Sequence, residues 1–289
     1  MYLPDFEYYA PETVEETCKM LTEFGDRAMI ISGGSDLLPK MKNDLIAPEV
    51  LISLKNLGEL KKIEYVQGKG VVIGGRSTHN DIVFSPVLAE KYKSVCNAAK
   101  TMAANQIRHI GTIAGNIASS VPSADLPPIL ITLNATVILV GPKGTRSVAL
   151  EDVFVSPGKT VIEPNEVMTE VIIPDQKMTG SKYYKYALRK SGALATVGVA
   201  AAVQIEGKTI VEARIALGAV SPTPVRAKAA EKFLAGKEIS DEVFEEAGKI
   251  ASGECKPITD FRATAEYRTD MVRVFTKRAL RDAVNNGHN

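Results

Sequence analysis

An α+β fold assembled from two or three lobes is what this sequence predicts, and three observations carry that expectation. The chain has 289 residues, 45% of them hydrophobic, enough to bury a real core and above the usual single-domain size. Its opening stretch alternates strand, helix and strand patterns. Its last hundred or so residues run through consecutive strand patterns and then helices, the segregated order of a separate α+β lobe.

Taken in order, Thr13 to Phe24 carries Val14, Cys18 and Leu21 at helical spacing, behind Pro11 and ending at Gly25, which predicts a short amphipathic helix. Ala28 to Ile31 reads as a buried strand breaking into a Gly-Gly turn, and "EVLISLKN" as the next strand. A first lobe therefore covers about residues 1–58. A larger second lobe follows over 59–174: the runs "KIEYV" and "VVIGG" joined by a Gly-Lys-Gly turn, helical periodicity from about Pro86 to Ala104, a Gly, Ser and Thr rich loop, a helix starting near Asp125, a strand from Thr136 to Val140, and a closing strand "VMTEVIIP". Residues 175–289 form the third unit. It has antiparallel strands at "KYYKYALRKS", "ATVGVAAAVQIE" and "IVEARIALGAV", and helices near Pro224 to Leu234, Asp241 to Ala251 and Ala263 to Ala283.

Composition removes several function classes. Lys+Arg 35 against Asp+Glu 34 leaves a formal charge of +1, and no basic run is dense enough to follow a nucleic-acid backbone or an anionic membrane. Cys18, Cys96 and Cys255 lie far apart with no CxxC pair, so neither a disulfide framework nor a local zinc or iron–sulfur site is encoded. The polar start "MYLPDFEYYAPETVEE" is unlike a secretory signal, and no apolar run reaches the ~20 residues of a transmembrane helix. A cytoplasmic location is the expectation.

Two glycine-bearing loops are the candidates for chemistry: "SGGSDLL", Ser32 to Leu38, and "GTIAGN", Gly111 to Asn116. Each joins backbone freedom to small hydroxyl side chains, a combination that turns successive N–H groups toward an anion. Neither contains Lys or Arg, so a diphosphate there would be held by backbone dipoles and hydroxyls, with Lys40, Lys42 or Arg108 nearby. A nucleotide cofactor fits this better than a transferable phosphate; a tight turn is the plain alternative for either loop alone. "GKGVVIGG" has Ile73 where a dinucleotide fingerprint needs its third glycine, and the GxxxxGK[ST], GxSxG and HExxH patterns are missing. His79, after "GGRST", reads either as a flavin or phosphate neighbour or, the plainer choice, as a solvated or merely hydrogen-bonded histidine, and Asp125 as a helix cap unless its turn faces a cofactor. "YYKYALRKSGALAT" sets Lys185, Arg189 and Lys190 among tyrosines, either bordering a cofactor ring or forming a half-exposed strand. The residues alone lead to a nucleotide-cofactor protein with its reaction open.

In combination these stretches resemble the FAD subunits of the molybdenum hydroxylases of the xanthine dehydrogenase and carbon monoxide dehydrogenase type. "SGGSDLLPKMK" is similar to the family's A-G-G-x-[ST/D]-L-L element, and "QIRHIGTIAGNIASSVPSADLPPIL" to its Q-I-R-N-x-[GA]-T-x-G-G-N…D-x-x-P element. "FEYYAPETVEE", "IGGRSTHNDI", "EPNEVMTEVIIP", "KYALRKSGALATVGVA" and "GAVSPTPVRA" follow in family order, so the resemblance spans essentially the whole chain. It implies a two-lobed FAD-binding domain of the vanillyl-alcohol oxidase and UDP-acetylmuramate reductase type, then a C-terminal domain with a three-stranded antiparallel sheet and helices. It further implies that Ser32, Gly33, Gly34, Ser35, Asp36 and Leu37, with Gly111, Thr112, Ala114, Gly115 and Asn116, surround the FAD diphosphate, Thr112 through its hydroxyl. Asp125 would meet the nucleotide portion, and Met168 and Lys185 the ribityl chain and flavin ring. Ala114 and His109 depart from the family's usual Gly and Asn, and a methyl at Ala114 would either crowd the diphosphate or select a slightly different loop angle.

The function so implied is electron transfer. FAD in this chain would accept electrons from a small 2Fe-2S subunit and pass them to NAD, a quinone or another acceptor, while the molybdenum cofactor of a large subunit hydroxylates an N-heterocycle such as a purine, or oxidises a related substrate. The expected assembly is a dimer of heterotrimers. Two other classes remain open at this point: a stand-alone FAD-dependent reductase of the UDP-acetylmuramate reductase type, and a cofactor-free interaction module that keeps the fold.

Overall fold

A computed structural model describes residues 2–286. In the first lobe, strands β1 (Glu7–Tyr9), β2 (Ala28–Ile31) and β3 (Val50–Ser53) make a parallel sheet in the order β1-β3-β2. Helix α1 (Val14–Phe24) follows β1 and helix α2 (Leu37–Lys42) follows β2. The expected cap is in place: the Thr13 side chain accepts from Glu16 N at 3.1 Å, and Gly25 ends α1 with φ +54°. Val14, Cys18 and Leu21 are the buried apolar positions of α1, as their spacing requires.

The second lobe begins with the hairpin β4 (Ile63–Val66) and β5 (Gly70–Gly74). Six short helices follow: α3 (His79–Val83), α4 (Pro86–Lys91), α5 (Lys93–Lys100), α6 (Asn105–Ile110), α7 (Ile113–Ala118) and α8 (Leu126–Thr132). Then come β6 (Thr136–Gly141), β7 (Gly144–Ala149), the small hairpin of β8 (Phe154–Ser156) and β9 (Lys159–Thr160), and β10 (Val167–Ile173). The antiparallel sheet runs β4-β5-β10-β6-β7. Strand β2, read from sequence as buried, is only half-covered, with Met29 exposed, and in the second lobe three further details differ from the sequence reading. The helical stretch from Pro86 is interrupted at Tyr92, whose backbone leaves the helical region and whose hydroxyl donates to Pro174 O. The segment read as a loop from Gly111 to Asn116 is a loop only as far as Thr112, which caps α7. Finally, β7 carries almost no buried residue and so leaves no hydrophobic pattern to read.

The C-terminal unit contains β11 (Gly180–Tyr186), β12 (Val197–Glu206) and β13 (Thr209–Gly218), the three antiparallel strands expected, plus a two-residue edge strand β14 (Val225–Arg226). Helices α9 (Lys228–Leu234), α10 (Asp241–Ser252) and α11 (Ala265–Asn286) complete it. Strand β12 is buried continuously from Val197 to Val203 because both of its faces are covered. Val197, Val199, Ala201 and Val203 join the core under α9 to α11, while Ala200 and Ala202 join the core of the second lobe. The small residues on the latter face allow close packing: a side chain at Gly198 would meet the Tyr183 hydroxyl at 2.8 Å, and one at Gly218 would meet Pro128 at 2.8 Å.

Candidate functional site

The two glycine-bearing bends meet. Ser32 to Asp36 leave the end of β2, Gly111 and Thr112 leave the end of α6, and Gly33 lies so close to the second bend that an added Cβ would sit 1.9 Å from Ile110 O and 2.7 Å from Ile110 C. Only a residue without a side chain permits that approach. Side chains then tie the bends together: Thr112 Oγ1 donates to Ser32 Oγ at 3.1 Å and accepts from Gly115 N, and Ser119 Oγ donates to Asp36 Oδ2 at 2.6 Å.

Between the bends and the C-terminal unit lies a cavity of about 600 Å³, within the range of cofactor sites. Ser32, Gly33, Gly34, Ser35, Asp36, Leu37, Thr112, Ala114, Gly115, Asn116, Asp125 and Met168 all line it, and Gly192 to Leu194 contribute from the loop between β11 and β12. Two of the expected residues stand behind this lining. Gly111 lies between Gly33 and the His79 ring. Lys185 reaches the cavity through Asp125, whose carboxylate it meets at 2.7 Å.

Asp125 is not the helix cap that local sequence suggests. It occupies the position before α8, yet its backbone is helical and its side chain caps nothing. Its carboxylate accepts from Tyr183 Oη at 2.8 Å and Lys185 Nζ at 2.7 Å, and Lys185 Nζ also donates to Thr101 O. Burial pushes the Asp125 carboxyl above its ordinary value, opposed by the charge and hydrogen bond of Lys185 and then by Tyr183. Burial, followed by the charge of Asp125, holds the Tyr183 hydroxyl protonated well beyond its usual range.

His79 is the residue that sequence reading undervalued. It is buried rather than solvated, it lines the cavity, and its Nδ1 has no hydrogen-bond partner. Burial lowers its pKa to about 4, so the imidazole is neutral at ordinary pH. The signal available in sequence is the Thr78-x-x-Asp81 capping box, which is formed and places His79 in the first turn of α3. Ala114 lines the cavity with its methyl near Gly75, and its N donates to Gly75 O.

The fit to a dinucleotide can be tested on these residues. Among the described residues Lys40 is the sole Lys or Arg of the lining; Arg108 is held by Met102 O and Asn80 Oδ1 instead. Glu166, also in the lining, is gripped by Arg146 Nε and Nη2 at 2.6 and 2.7 Å, which holds its carboxyl below the usual range. Glycine bends and the hydroxyls of Ser32 and Ser35, with Thr112 Oγ1 orienting the Ser32 hydroxyl, are donors suited to the paired phosphates of FAD, and among the described residues His79 Nδ1 and Asn116 Oδ1 are buried without a partner, the latter an acceptor suited to a cofactor hydroxyl. Among the described residues no group of His, Cys, Asp and Glu is arranged to hold a metal ion, and no helix is long and apolar enough to cross a membrane.

Comparison with known proteins agrees with this geometry. Residues 4–176 match the family model of the FAD binding domain in molybdopterin dehydrogenase, and residues 182–283 match that of the CO dehydrogenase flavoprotein C-terminal domain. The chain is 37% identical over 283 residues to the carbon monoxide dehydrogenase medium chain of Hydrogenophaga pseudoflava, covering 98% of each. It is 32% identical to the glyceraldehyde dehydrogenase medium chain of Sulfolobus acidocaldarius, covering 98% of this chain and 99% of that one. The solved carbon monoxide dehydrogenase from Hydrogenophaga pseudoflava that lacks the Mo-pyranopterin moiety of its cofactor superposes with a TM-score of 0.95 at 37% identity, over 99% of this chain and 100% of the other. The chain therefore belongs to the FAD-binding medium subunits of the molybdenum hydroxylase family, and it is an oxidoreductase subunit.

Proposed function

We propose that this chain carries FAD between residues of the two bends and serves as the electron outlet of a three-subunit molybdenum hydroxylase. The partners in this reading are a small 2Fe-2S subunit and a large molybdenum-cofactor subunit, assembled as a dimer of heterotrimers. Residues 1–174, as lobes 1–58 and 59–174, hold the cofactor, and residues 175–289 close the cavity from the third side. The chemistry supplied by bound FAD is the exchange of electrons arriving from an iron–sulfur cluster for electrons leaving to NAD, a quinone or another acceptor.

The protein's own residues bind and orient. Gly33 and Gly111 let the backbones approach, Ser32 and Ser35 offer hydroxyls to the diphosphate with Thr112 holding Ser32 in place, and Asp125, fixed by Tyr183 and Lys185, presents a carboxylate to the nucleotide. Met168, which lines the cavity from β10, would lie along the bound cofactor. The observation that carries the proposal is the meeting of Gly33 with Ile110 and Gly111 at the edge of one cavity. Substrate is oxidised in the large subunit, a reading supported by the variety of relatives sharing this medium chain, named for carbon monoxide and for glyceraldehyde. Metal and flavin analysis of the natively purified assembly is the test. Molybdenum, iron and FAD together, with an isolated chain that binds FAD but hydroxylates nothing, are expected. A self-sufficient flavoprotein without iron or molybdenum partners would leave the stand-alone reductase in its place.

A further inference from the structure

Among the described residues the largest fully buried side chain is that of Arg268 on α11, a guanidinium 1% exposed in the C-terminal unit, away from the cavity lining. Its Nε has no hydrogen-bond partner among the described residues, so removing this charge from water is only partly offset. Its Nη1 donates to Thr196 O at 2.7 Å and Ala219 O at 3.1 Å, and its Nη2 to Asp260 Oδ1 at 2.6 Å. Arg262 holds the other oxygen of Asp260 through Nε and Nη2 and reaches Ala195 O through Nη1.

The carbonyls so gripped are the roots of two cavity walls. Ala195 and Thr196 anchor the loop whose residues Gly192, Ala193 and Leu194 line the cavity. Ala219, at a left-handed φ of +64°, donates its N–H to Pro122 O, beside the lining residues Val121, Ser123 and Ala124. Thr196 precedes β12 and Ala219 follows β13, so one guanidinium closes the end of that strand pair where its own ladder bonds stop. The far end of the loop is lightly tied, by Gly192 N and Ser191 Oγ to Ala103 O, and Leu194 remains 59% exposed.

The geometry points to Arg268, with Asp260 and Arg262, as a positioning cluster that holds the Gly192–Leu194 wall against the cavity and so sets how far a bound flavin is open to solvent and acceptors. The inference rests on the FAD reading, and its test separates the two. FAD-loaded full chain is compared with Arg268→Lys, which keeps the charge but loses the two-pronged geometry, and with the milder Arg262→Gln. Glu245→Gln, which breaks the pairs with Arg273 and Lys277 in the same unit, is the control. Iodide quenching of flavin fluorescence should rise severalfold in Arg268→Lys and Arg262→Gln with FAD still bound. Tryptic cleavage at exposed Arg189 and Lys190 should become about tenfold faster in Arg268→Lys, as expected when local opening loses a charge-assisted hydrogen bond. Glu245→Gln should match the parent in both. Unchanged quenching and cleavage in the folded variants, or an equal rise in the control, overturns the inference. A parent chain that retains no FAD sinks the FAD reading instead, while the tryptic comparison, run on unloaded protein, still decides the wall.

Discussion

Gly33→Ala is the sharpest perturbation the structure offers, because its effect is steric and falls on the junction of the bends. The new Cβ would lie 1.9 Å from Ile110 O, against an ordinary carbon–oxygen approach of about 3.3 Å. The bends must therefore part by more than about 1 Å, a displacement that costs positioned groups about 100-fold. Expressed as binding, that is about 2.7 kcal/mol of FAD affinity. Overpacking adds a stability loss of about 1–3 kcal/mol. Two neighbouring glycines supply the scale. At Gly34 a side chain meets only movable Leu38 and Ile31 atoms, but φ is +71°, so alanine costs about 1 kcal/mol of backbone strain. At Gly115 the nearest atom is Thr112 Oγ1 at 3.1 Å, which a small rotation relieves. FAD titration followed by flavin fluorescence, with urea denaturation alongside, should rank the losses of affinity Gly33, then Gly34, then Gly115. A folded Gly33→Ala chain binding FAD within about threefold of the parent would show that the bends do not jointly shape the site.

Three further outcomes follow from the same geometry. Lys185→Met should lose about 3–5 kcal/mol of unfolding free energy, since it strands a buried Asp125 carboxylate, and adding Asp125→Asn should recover part of it; additive losses in the double-mutant cycle would deny the coupling. His79 takes up a proton at about pH 6.5 in the unfolded chain but only at about 4 when folded, so its contribution is complete above pH 6.5 and disappears as pH falls toward 4, about 3 kcal/mol in all. His79→Gln should flatten that limb of the stability–pH curve, and an identical limb in the variant would assign it to other groups. Ala114→Gly, which restores the family's commoner residue, should cost about 1 kcal/mol of stability through a lost core methyl and a freer helix while leaving FAD affinity unchanged; a clear gain in affinity would mean that the methyl does crowd the cofactor.

How much of this was readable in sequence depended on how local each cause is. Helix α1 announces itself through Thr13, the Val14, Cys18 and Leu21 spacing and Gly25, all within its own residues. Strands β12 and β13 are readable for a similar reason, being ten residues long and mostly apolar. Helices α3, α6 and α7 span five or six residues, less than two turns, and leave no periodicity to detect. Asp125 misleads because the local cap rule competes with Lys185, 60 positions later, and a buried ion pair outweighs a cap.

The same distinction explains why the cavity is built on glycines of which the sequence reading flagged only some. Gly33 stands in a conspicuous Gly-Gly pair. Gly75 reads merely as the end of a strand run, yet a side chain there would meet Met168 O at 2.3 Å and the Ala114 methyl at 3.3 Å. Its N–H donates to Thr169 O and its carbonyl accepts from Ala114 N, so it joins β10 to α7 directly beneath the lining. Beside it, Val167 enters the core under the first lobe while Met168 enters that of the second, the alternation of a strand serving two bodies at once. Gly75→Ala should thus separate α7 from β10 and disturb the second bend without touching either motif. What a glycine makes possible is decided by the backbone that faces it, and for Gly75 that backbone lies more than ninety residues away in sequence.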